Sequence, residues 1–158
     1  MNMKISIITI TYNSAKTLPN TLHSVLLQTY PHIEHIIVDG ASKDGTKELI
    51  EAYAKEVQKG KDECTREVRW VSEKDSGIYN AINKGIEMAT GDVIGFVHSD
   101  DMLFSSDSIE YIANAFSSSN VDLIYGDLQY CKGDKVVRRW KSNAYNPCAL
   151  KYGWMPPH

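Results

Sequence analysis

Short runs of β-branched and other apolar residues alternate along this chain with segments in which apolar residues recur at helical spacing. The runs cover residues 5–10, 35–38, 68–71, 93–97 and 121–125, and a helical pattern follows each of the first four. Apolar runs of this length are typical of strands in a parallel sheet that is covered on both faces. The alternation therefore predicts an α/β fold with a doubly wound, mostly parallel sheet and right-handed crossovers.

Two further strand patterns lie near the C-terminal end of the sequence, at residues 128–131 and 136–140. Between them, Lys132-Gly133-Asp134 has the composition of a hairpin turn, so we expect a late β-hairpin in addition to the parallel sheet. The chain has 158 residues, which is a common size for one domain with a core of its own. We therefore expect residues 1–158 to form a single domain.

Composition excludes several classes of protein. A formal net charge of −3 argues against a nucleic-acid-binding protein, which needs a basic surface. The three cysteines are odd in number and lack metal-ligand spacing, so a disulfide framework is not expected and a reducing cytoplasm fits best. The apolar runs are all shorter than the roughly 18 residues of a membrane-spanning helix, which leaves peripheral membrane association open.

Two adjacent carboxylates, Asp100 and Asp101, stand just past the end of the apolar run at residues 93–97. Ligands of open α/β sheets bind in the crevice outside the carboxyl ends of the strands. Mg²⁺ and Mn²⁺ prefer oxygen ligands, and Mg²⁺ is commonly held by one or two carboxylates together with substrate phosphates. This position predicts a metal–diphosphate site, and the alternative is that the pair only caps the following turn.

Polar side chains also follow the other predicted strands, at Thr11, Tyr12, Asp39 and Asp75. Because the carboxyl ends of neighbouring parallel strands share one edge, we expect these residues to line the same crevice. Carboxylates suit the N–H groups of a base and the hydroxyls of ribose, and an aromatic ring suits the face of a base. Neither a glycine-rich phosphate loop, nor a GxSxG elbow, nor an HExxH grouping occurs in the sequence.

Four sequence motifs resemble, in order and spacing, those of the family 2 glycosyltransferases. They are SIITITYN at residues 6–13, IVDGASKDGT at 37–46, DSGIYNAINKG at 75–85 and HSDD at 98–101. The resemblance is to the bacterial enzymes that build capsule, exopolysaccharide or O-antigen. It implies the GT-A fold, an inverting mechanism, a nucleotide-diphosphate sugar donor, a divalent Mn²⁺ or Mg²⁺ ion, and a saccharide or lipid-linked saccharide acceptor.

The same resemblance implies roles for individual residues. Metal binding falls to Asp100, with Asp101 beside it. In the family, the first position of the DxD motif is usually acidic, whereas His98 stands there in this chain, so the metal site has one negative charge fewer. Nucleotide binding is implied for five positions: Thr11, Tyr12, Asp39, Asp75 and His98.

The catalytic base of the family is a carboxylate further along the chain, so no residue here is assigned to it and we expect it beyond His158. The 158 residues are accordingly expected to be the N-terminal portion of an enzyme. That enzyme would work in the cytoplasm. With a lipid-linked acceptor, it would work at the inner face of the membrane. Two alternatives stay open, a non-catalytic nucleotide-sugar-binding module and a sugar-phosphate nucleotidyltransferase, although the latter usually carries a Gly-rich basic loop after its first strand.

Overall fold

A computed structural model describes residues 3–60, 66–133, 135–142 and 144–153, without the side chain of Leu150. The chain divides into two compact units, Met1–Asn114 and Ala115–His158. The helices and strands, in chain order, are β1 Ile5–Thr11, α1 Leu18–Leu26, β2 Ile33–Asp39, α2 Thr46–Lys59, β3 Glu67–Ser72, α3 Ile78–Met88, β4 Val93–Phe96, α4 Ser108–Ser118, β5 Leu128–Lys132, β6 Lys135–Trp140 and α5 Pro147–Leu150.

The first unit is built on a four-stranded sheet with strand order β3-β2-β1-β4. All three neighbouring pairs are parallel, which confirms the predicted α/β class. Along the longest pairing, Ile5 of β1 lies opposite Ile33 of β2, and Thr11 lies opposite Asp39. The two central strands therefore end side by side at one edge of the sheet.

Helices cover both faces of this sheet, so the prediction of a doubly wound arrangement is also confirmed. On one face, Ile5 and Ile7 of β1 pack with residues of α1 and α4, and Ile37 of β2 packs with α1 and α2. On the other face, Ile8 of β1 and residues of β2 pack against Ala81 of α3. Burial of these aliphatic side chains on both sides holds β1 and β2 at the centre of the unit.

The prediction of a fifth strand at residues 121–125 is wrong. The described residues show no strand there, and Val121 and Leu123 are 44% and 60% exposed. β-Branched residues favour a strand only where a ladder partner and a covered apolar face are available. An apolar run in the sequence does not reveal whether either is present.

The inward face of α3 also differs from the helical pattern, which favours Ile82, Ile86 and Ala89. Ala89 does pack against the core, but the fully buried positions are Ala81 and Gly85, and Ile86 is 42% exposed. A Cβ on Gly85 would lie 2.5 Å from Cγ2 of Ile8. The small residues face the sheet because α3 lies too close to β1 for larger side chains.

A buried carboxylate, Glu34, joins three parts of the first unit near the amino ends of β1 and β4. Oε2 accepts hydrogen bonds from Oγ of Ser6 at 2.6 Å and from the backbone N–H of Thr90 at 2.8 Å. Nζ of Lys4 and Nη1 of Arg69 each lie 3.3 Å from Oε1. Burial alone would raise the pKa of Glu34, but the hydrogen bonds and Lys4 lower it to about 2.

A second buried polar chain crosses the other face of the sheet through His35. The hydroxyl of Thr9 donates to the carbonyl of Val97 at 2.7 Å, so Nε2 of His35, at 2.9 Å, must donate to that hydroxyl. Nδ1 then accepts from the hydroxyl of Tyr53 at 2.9 Å, which assigns the tautomer from the network. Complete burial lowers the pKa of His35 to about 3, so the ring is neutral at physiological pH.

The second unit contains the predicted hairpin, formed by the antiparallel strands β5 and β6. Ser142, just after β6, donates from its N–H and its hydroxyl to Oδ1 of Asp127, each at 2.8 Å, and these bonds lower the pKa of Asp127.

Cys131 and Cys148 are free and exposed, whereas Cys64 and Asp134 lie outside the described residues. None of the helices in the described part of the chain is long and apolar enough to cross a membrane.

Candidate functional site

Asp39 is a buried carboxylate at the carboxyl edge of the sheet. It ends β2 directly beside Thr11 at the end of β1, and it is completely buried. Its Oδ2 accepts from the N–H of Ser42 at 3.1 Å and from the hydroxyl of Ser72 at 2.6 Å, and its Oδ1 accepts from the hydroxyl of Ser42. These bonds fix the orientation of the carboxylate, and neither serine was singled out from the sequence.

Thr11 carries a hydroxyl with no hydrogen-bond partner among the described residues. The residue is only 2% exposed, and it lies beside Asp39 in the register of the two strands. Leaving a buried hydroxyl unpaired costs about 1–3 kcal/mol. An orphaned polar atom at the carboxyl edge of an α/β sheet is a position where a ligand can supply the missing bond.

Tyr12, Gly40 and Asp75 meet next to this pair. The N–H of Gly40 donates to the carbonyl of Thr11 at 3.0 Å, and a Cβ on Gly40 would lie 3.2 Å from Cδ2 of Tyr12 and 3.6 Å from Oδ2 of Asp75. The ring of Tyr12 is 66% exposed and open to a stacking partner. The structure therefore brings together four of the predicted site residues.

Asp75 is held by Lys84 of α3, which sequence reasoning did not single out. Nζ of Lys84 contacts Oδ1 of Asp75 and lies 2.7 Å from Oε1 of Glu73. Its hydrogen bonds to Asp75 and then to Glu73 raise the pKa of Lys84. The pairing leaves Oδ2 of Asp75 as the oxygen that faces Gly40.

The loop after β1 is tied to the loop after β2 through Asn13. This residue has a φ of 50°, a left-handed conformation that asparagine tolerates. Its N–H donates to Oγ of Ser42 at 2.7 Å, and its Oδ1 accepts from the N–H of Lys43 at 3.0 Å. From the sequence, either Asn13 or Ser14 could cap α1, but Asn13 fixes the loops instead, and the helix begins later, after Thr17.

Asp44 and Thr46 make the second set of bonds between the same loops. Oδ2 of Asp44 accepts from the N–H of Ala15 at 3.0 Å, and its Oδ1 accepts from the hydroxyl of Thr46 at 2.6 Å. The hydroxyl of Thr46 in turn accepts from the N–H of Ser14 at 2.9 Å. The bond from Thr46 and then that from Ala15 lower the pKa of Asp44. From the sequence, Asp44 could cap α2, but the N-cap position is Gly45, and Asp44 precedes it and accepts from the N–H of Thr46 at 3.2 Å.

The turn after β4, which carries the predicted metal ligands, is held from α1. The hydroxyl of Thr21, completely buried, donates to the carbonyl of Asp101 at 2.7 Å and lies 3.3 Å from that of His98. The N–H of Asp101 donates to the same His98 carbonyl at 3.0 Å, and Oγ of Ser99 lies 3.0 Å from Oγ of Ser14. The turn is thus fixed through its backbone.

The polar contacts of α1 continue along the segment that follows. The amide nitrogen of Gln28 donates to the carbonyl of Ser105 at 2.7 Å, and its Oε1 accepts from the N–H of Ile109 at 3.0 Å. Oγ of Ser24 accepts from the N–H of Leu103 at 3.2 Å. Polar residues on α1 and just after it therefore order the chain from the acidic turn to the start of α4.

Asp100 is exposed and lines a cleft of about 500 Å³. The other lining residues are Asn13, Ser14, Lys16, Thr17, Asp44 and Ser99. The four residues gathered around Gly40 do not line this cleft, but Asn13 belongs to the loop that begins with Tyr12. The predicted base-binding residues and the predicted metal ligand are thus carried by interlocked loops at one edge of the sheet.

Within the described ranges, we find no group of three or more His, Cys, Asp or Glu side chains that could hold a metal ion. A metal with a complete protein cage, such as a structural zinc, does not fit this pattern. The exposed Asp100 and its neighbour Asp101 do fit a hard cation that takes one or two carboxylates and completes its shell with phosphate oxygens and water.

The chain belongs to glycosyl transferase family 2, whose family profile matches residues 6–157. It is 34% identical over 127 residues to the PGL/p-HBAD biosynthesis glycosyltransferase of Mycobacterium bovis, covering 78% of this chain and 46% of that protein. It is 41% identical over 97 residues to the putative teichuronic acid biosynthesis glycosyltransferase TuaG of Bacillus subtilis, covering 61% and 36%. The chain thus spans less than half the length of these relatives.

Solved structures agree with the fold. S. aureus TarS in complex with UDP aligns with a TM-score of 0.70 and 25% identity over 86% of this chain and 38% of that chain. The mannosyltransferase PcManGT from Pyrobaculum calidifontis, in complex with GDP-Man and Mn²⁺, aligns with a TM-score of 0.63 and 25% identity over 82% and 36%. The sequence-based assignment to the family and to the GT-A fold is confirmed.

Proposed function

We propose that this chain binds a nucleotide-diphosphate sugar and serves the transfer of the sugar to an acceptor hydroxyl, with inversion, in the assembly of a bacterial polysaccharide or glycolipid. The observation that carries the proposal is the unpaired, buried hydroxyl of Thr11 beside the buried carboxylate of Asp39. A base that both accepts and donates hydrogen bonds satisfies these two groups together. The complexes of TarS with UDP and of PcManGT with GDP-Man are consistent with such a ligand.

In this proposal, Thr11 and Asp39 bind the base, Tyr12 stacks on it, and Asp75 binds nearby. His98 contacts the ribose or a phosphate, and its imidazole introduces no negative charge beside the diphosphate. Asp100, with Asp101 beside it, would hold Mn²⁺ or Mg²⁺. A divalent ion at this position supplies Lewis-acid stabilisation of the leaving nucleoside diphosphate.

The acceptor in this proposal is a saccharide or a lipid-linked saccharide, and the enzyme works in the cytoplasm. The names of two relatives, a teichuronic acid biosynthesis glycosyltransferase and a PGL/p-HBAD biosynthesis glycosyltransferase, support a role in biosynthesis of this kind. Attack by an acceptor hydroxyl needs a general base. We assign no residue of this chain to that role. A non-catalytic donor-binding role of the 158 residues is therefore the second candidate, and transfer activity separates the two.

Replacing Asp100 with asparagine tests the metal and donor site. Removing this carboxylate is expected to weaken nucleotide binding in the presence of Mn²⁺ by about 100-fold or more, because the ion loses its principal protein ligand. The measurement is calorimetric titration with UDP, GDP and dTDP, each with Mn²⁺ and again with EDTA. Asp122→Asn, at an exposed aspartate of the second unit, is the matched control.

The nucleotide that binds the unsubstituted protein with Mn²⁺ identifies the base of the donor. Equal affinities of Asp100→Asn and the unsubstituted protein would contradict the metal site. Equal nucleotide affinity of the unsubstituted protein with Mn²⁺ and with EDTA would also contradict the metal site. Pyrophosphate release from a sugar phosphate and a nucleoside triphosphate would instead favour a nucleotidyltransferase.

Replacing Thr11 with valine is expected to change stability and binding in opposite directions. Valine has nearly the same shape but no hydroxyl, so the ligand-free protein loses an unpaired buried group and gains about 1 kcal/mol of stability. Nucleotide affinity should fall about tenfold, because the bond to the base is lost. Thermal unfolding and calorimetry measure the two effects. A variant that is less stable and binds as before would show that the hydroxyl has a structural partner.

A further inference from the structure

The hairpin of the second unit concentrates positive charge in a chain that is acidic as a whole. Five of the 17 lysines and arginines lie between residues 128 and 141, where Asp134 is the only acidic residue. This segment therefore has a formal charge of +4, whereas the whole chain has −3. The described side chains of β6 are exposed from Lys135 to Arg139, so the charge is at the surface.

One side of the hairpin combines basic and aromatic residues. In the register of the ladder, Tyr130 lies opposite Arg138, and paired residues of an antiparallel ladder point to the same side. Cζ of Arg138 lies 5.6 Å from the centre of the Tyr130 ring, within cation–π distance. Alternation along the strands gives this side, here called the basic hairpin face, six residues: Leu128, Tyr130, Lys132, Lys135, Arg138 and Trp140.

One apolar side chain at a bulge adds to the exposed surface beside this face. The register shifts by one residue after Tyr130, so Val137 is the extra residue of a bulge, and its side chain is 59% exposed. Tyr130 is 47% exposed, whereas Val136 pairs with Cys131 and so points to the other side of the hairpin. Val137 therefore leaves apolar area exposed next to the basic and aromatic side chains of the face.

We propose that the basic hairpin face docks on a membrane surface that contains anionic lipids. Lysine and arginine side chains are attracted to anionic headgroups, and tyrosine and tryptophan favour the interface between headgroups and acyl chains. The exposed Val137 would enter the same boundary. Docking here requires no membrane-spanning helix, and it does not depend on the proposed nucleotide site.

A nucleic acid is the other polyanion that a basic surface could bind, but the hairpin fits it less well. Single strands are bound through several aromatic rings on which successive bases stack, and this face offers only two, Tyr130, already covered by Arg138, and the half-buried Trp140. An aliphatic residue such as Val137 has no stacking role.

Vesicle sedimentation of the 158-residue chain tests the proposal. The vesicles contain phosphatidylcholine alone or with about 30% phosphatidylglycerol, at low ionic strength and again in 0.5 M NaCl. The test protein replaces three basic residues of the face: Lys132→Gln, Lys135→Gln and Arg138→Gln. The charge-matched control replaces three exposed lysines of the first unit: Lys47→Gln, Lys55→Gln and Lys59→Gln.

The unsubstituted protein should bind the anionic vesicles and not the neutral ones, and high salt should release it. Each basic residue near an anionic surface raises partitioning about five-fold, so the hairpin variant should bind roughly 100-fold more weakly. The control should stay within about two-fold of the unsubstituted protein. Circular dichroism and calorimetry with UDP or GDP should be unchanged in the hairpin variant, which separates this result from a failure of the nucleotide site.

Three outcomes would overturn the proposal. The first is the absence of binding to anionic vesicles. The second is an equal loss of binding in the hairpin variant and the control, which would show only a response to net charge. The third is tighter binding of a 20-nucleotide single strand than of vesicles at the same salt concentration, measured by fluorescence anisotropy, which would assign the face to nucleic acid.

Discussion

Alanine at position 91 is expected to destabilise the protein by about 3 kcal/mol, the upper range for forcing atoms into a packed interior. Gly91 lies in the turn between α3 and β4, and a Cβ there would be 2.7 Å from the carbonyl oxygen of Lys4 and 2.8 Å from the backbone nitrogen of Ser6. Both atoms belong to the main chain around the start of β1. They cannot move without shifting a central strand.

The hydrogen bonds of the same turn increase this effect. The N–H of Gly91 donates to the hydroxyl of Ser6 at 2.9 Å, and the N–H of Asp92 donates to the carbonyl of Lys4 at 2.7 Å. A backbone shift that relieves the clash lengthens both bonds and moves Ser6 away from Glu34. The start of β4 is therefore expected to separate from β1 before the rest of the sheet unfolds.

Gly95 provides the matched control within β4. A Cβ on Gly95 meets no atom within 4 Å, so Gly95→Ala should leave stability unchanged or raise it by about 0.5 kcal/mol. Urea unfolding followed by circular dichroism gives both midpoints. If the Gly91→Ala and Gly95→Ala proteins unfold at the same urea concentration, the close approach of the turn to β1 is wrong.

Replacing Glu34 with glutamine is expected to lower the free energy of unfolding by about 3 kcal/mol at neutral pH. The carboxylate is completely buried, and the hydroxyl of Thr90 donates to it at 2.8 Å in addition to the bonds from Ser6 and the Thr90 N–H. Glutamine presents an NH₂ group to at least one of these donors. Lys4 and Arg69 are partly exposed and regain water, which limits the loss.

The pH dependence of stability provides a second readout at Glu34. Its pKa in the folded protein, about 2, is lower than the ordinary value of 4.5, so the unfolded chain binds the proton first as pH falls. The stabilisation by Glu34 is fully present above pH 4.5 and is lost as pH falls from there toward 2. Glu34→Gln should lose this part of the acid dependence, as followed by urea unfolding between pH 6 and 3.

Glu67 is the control for this experiment. Its carboxylate also lies near Lys4, at 3.5 Å, but its side chain is 54% exposed, and exposed pairs contribute little. Glu67→Gln should therefore change stability by less than about 0.5 kcal/mol and leave the acid dependence intact. Similar behaviour of the two variants would show that water reaches Glu34 in the folded protein.

The candidate site was located from the sequence because strand ends can be read from it. A polar residue after an apolar run marks the carboxyl end of a strand, and the carboxyl ends of parallel strands share one edge. This reasoning brought Thr11, Tyr12, Asp39 and Asp75 together, as the structure does. Their roles in nucleotide binding stay predictions, as do those of His98, Asp100 and Asp101.

The supporting residues of the site could not be found in this way. Ser72 is 33 positions from the carboxylate of Asp39 that it contacts, and Thr21 is 80 positions from the Asp101 carbonyl to which it donates. Serine and threonine are common at surfaces and in turns, so their residue type gives no signal. Only the packing of α1 and β3 against their neighbours brings these hydroxyl groups to the site.

The sequence by itself determined the α/β class, the order of the first four strands with their helices, the late hairpin and the edge at which polar residues gather. These follow from the period of apolar residues and from turn chemistry, which are local properties. The tertiary structure alone decided that residues 121–125 form no strand, that α3 buries Ala81 and Gly85, and that Asn13 joins two loops. Each depends on which atoms lie opposite across the chain, and hydrophobic spacing along one segment contains no information about them.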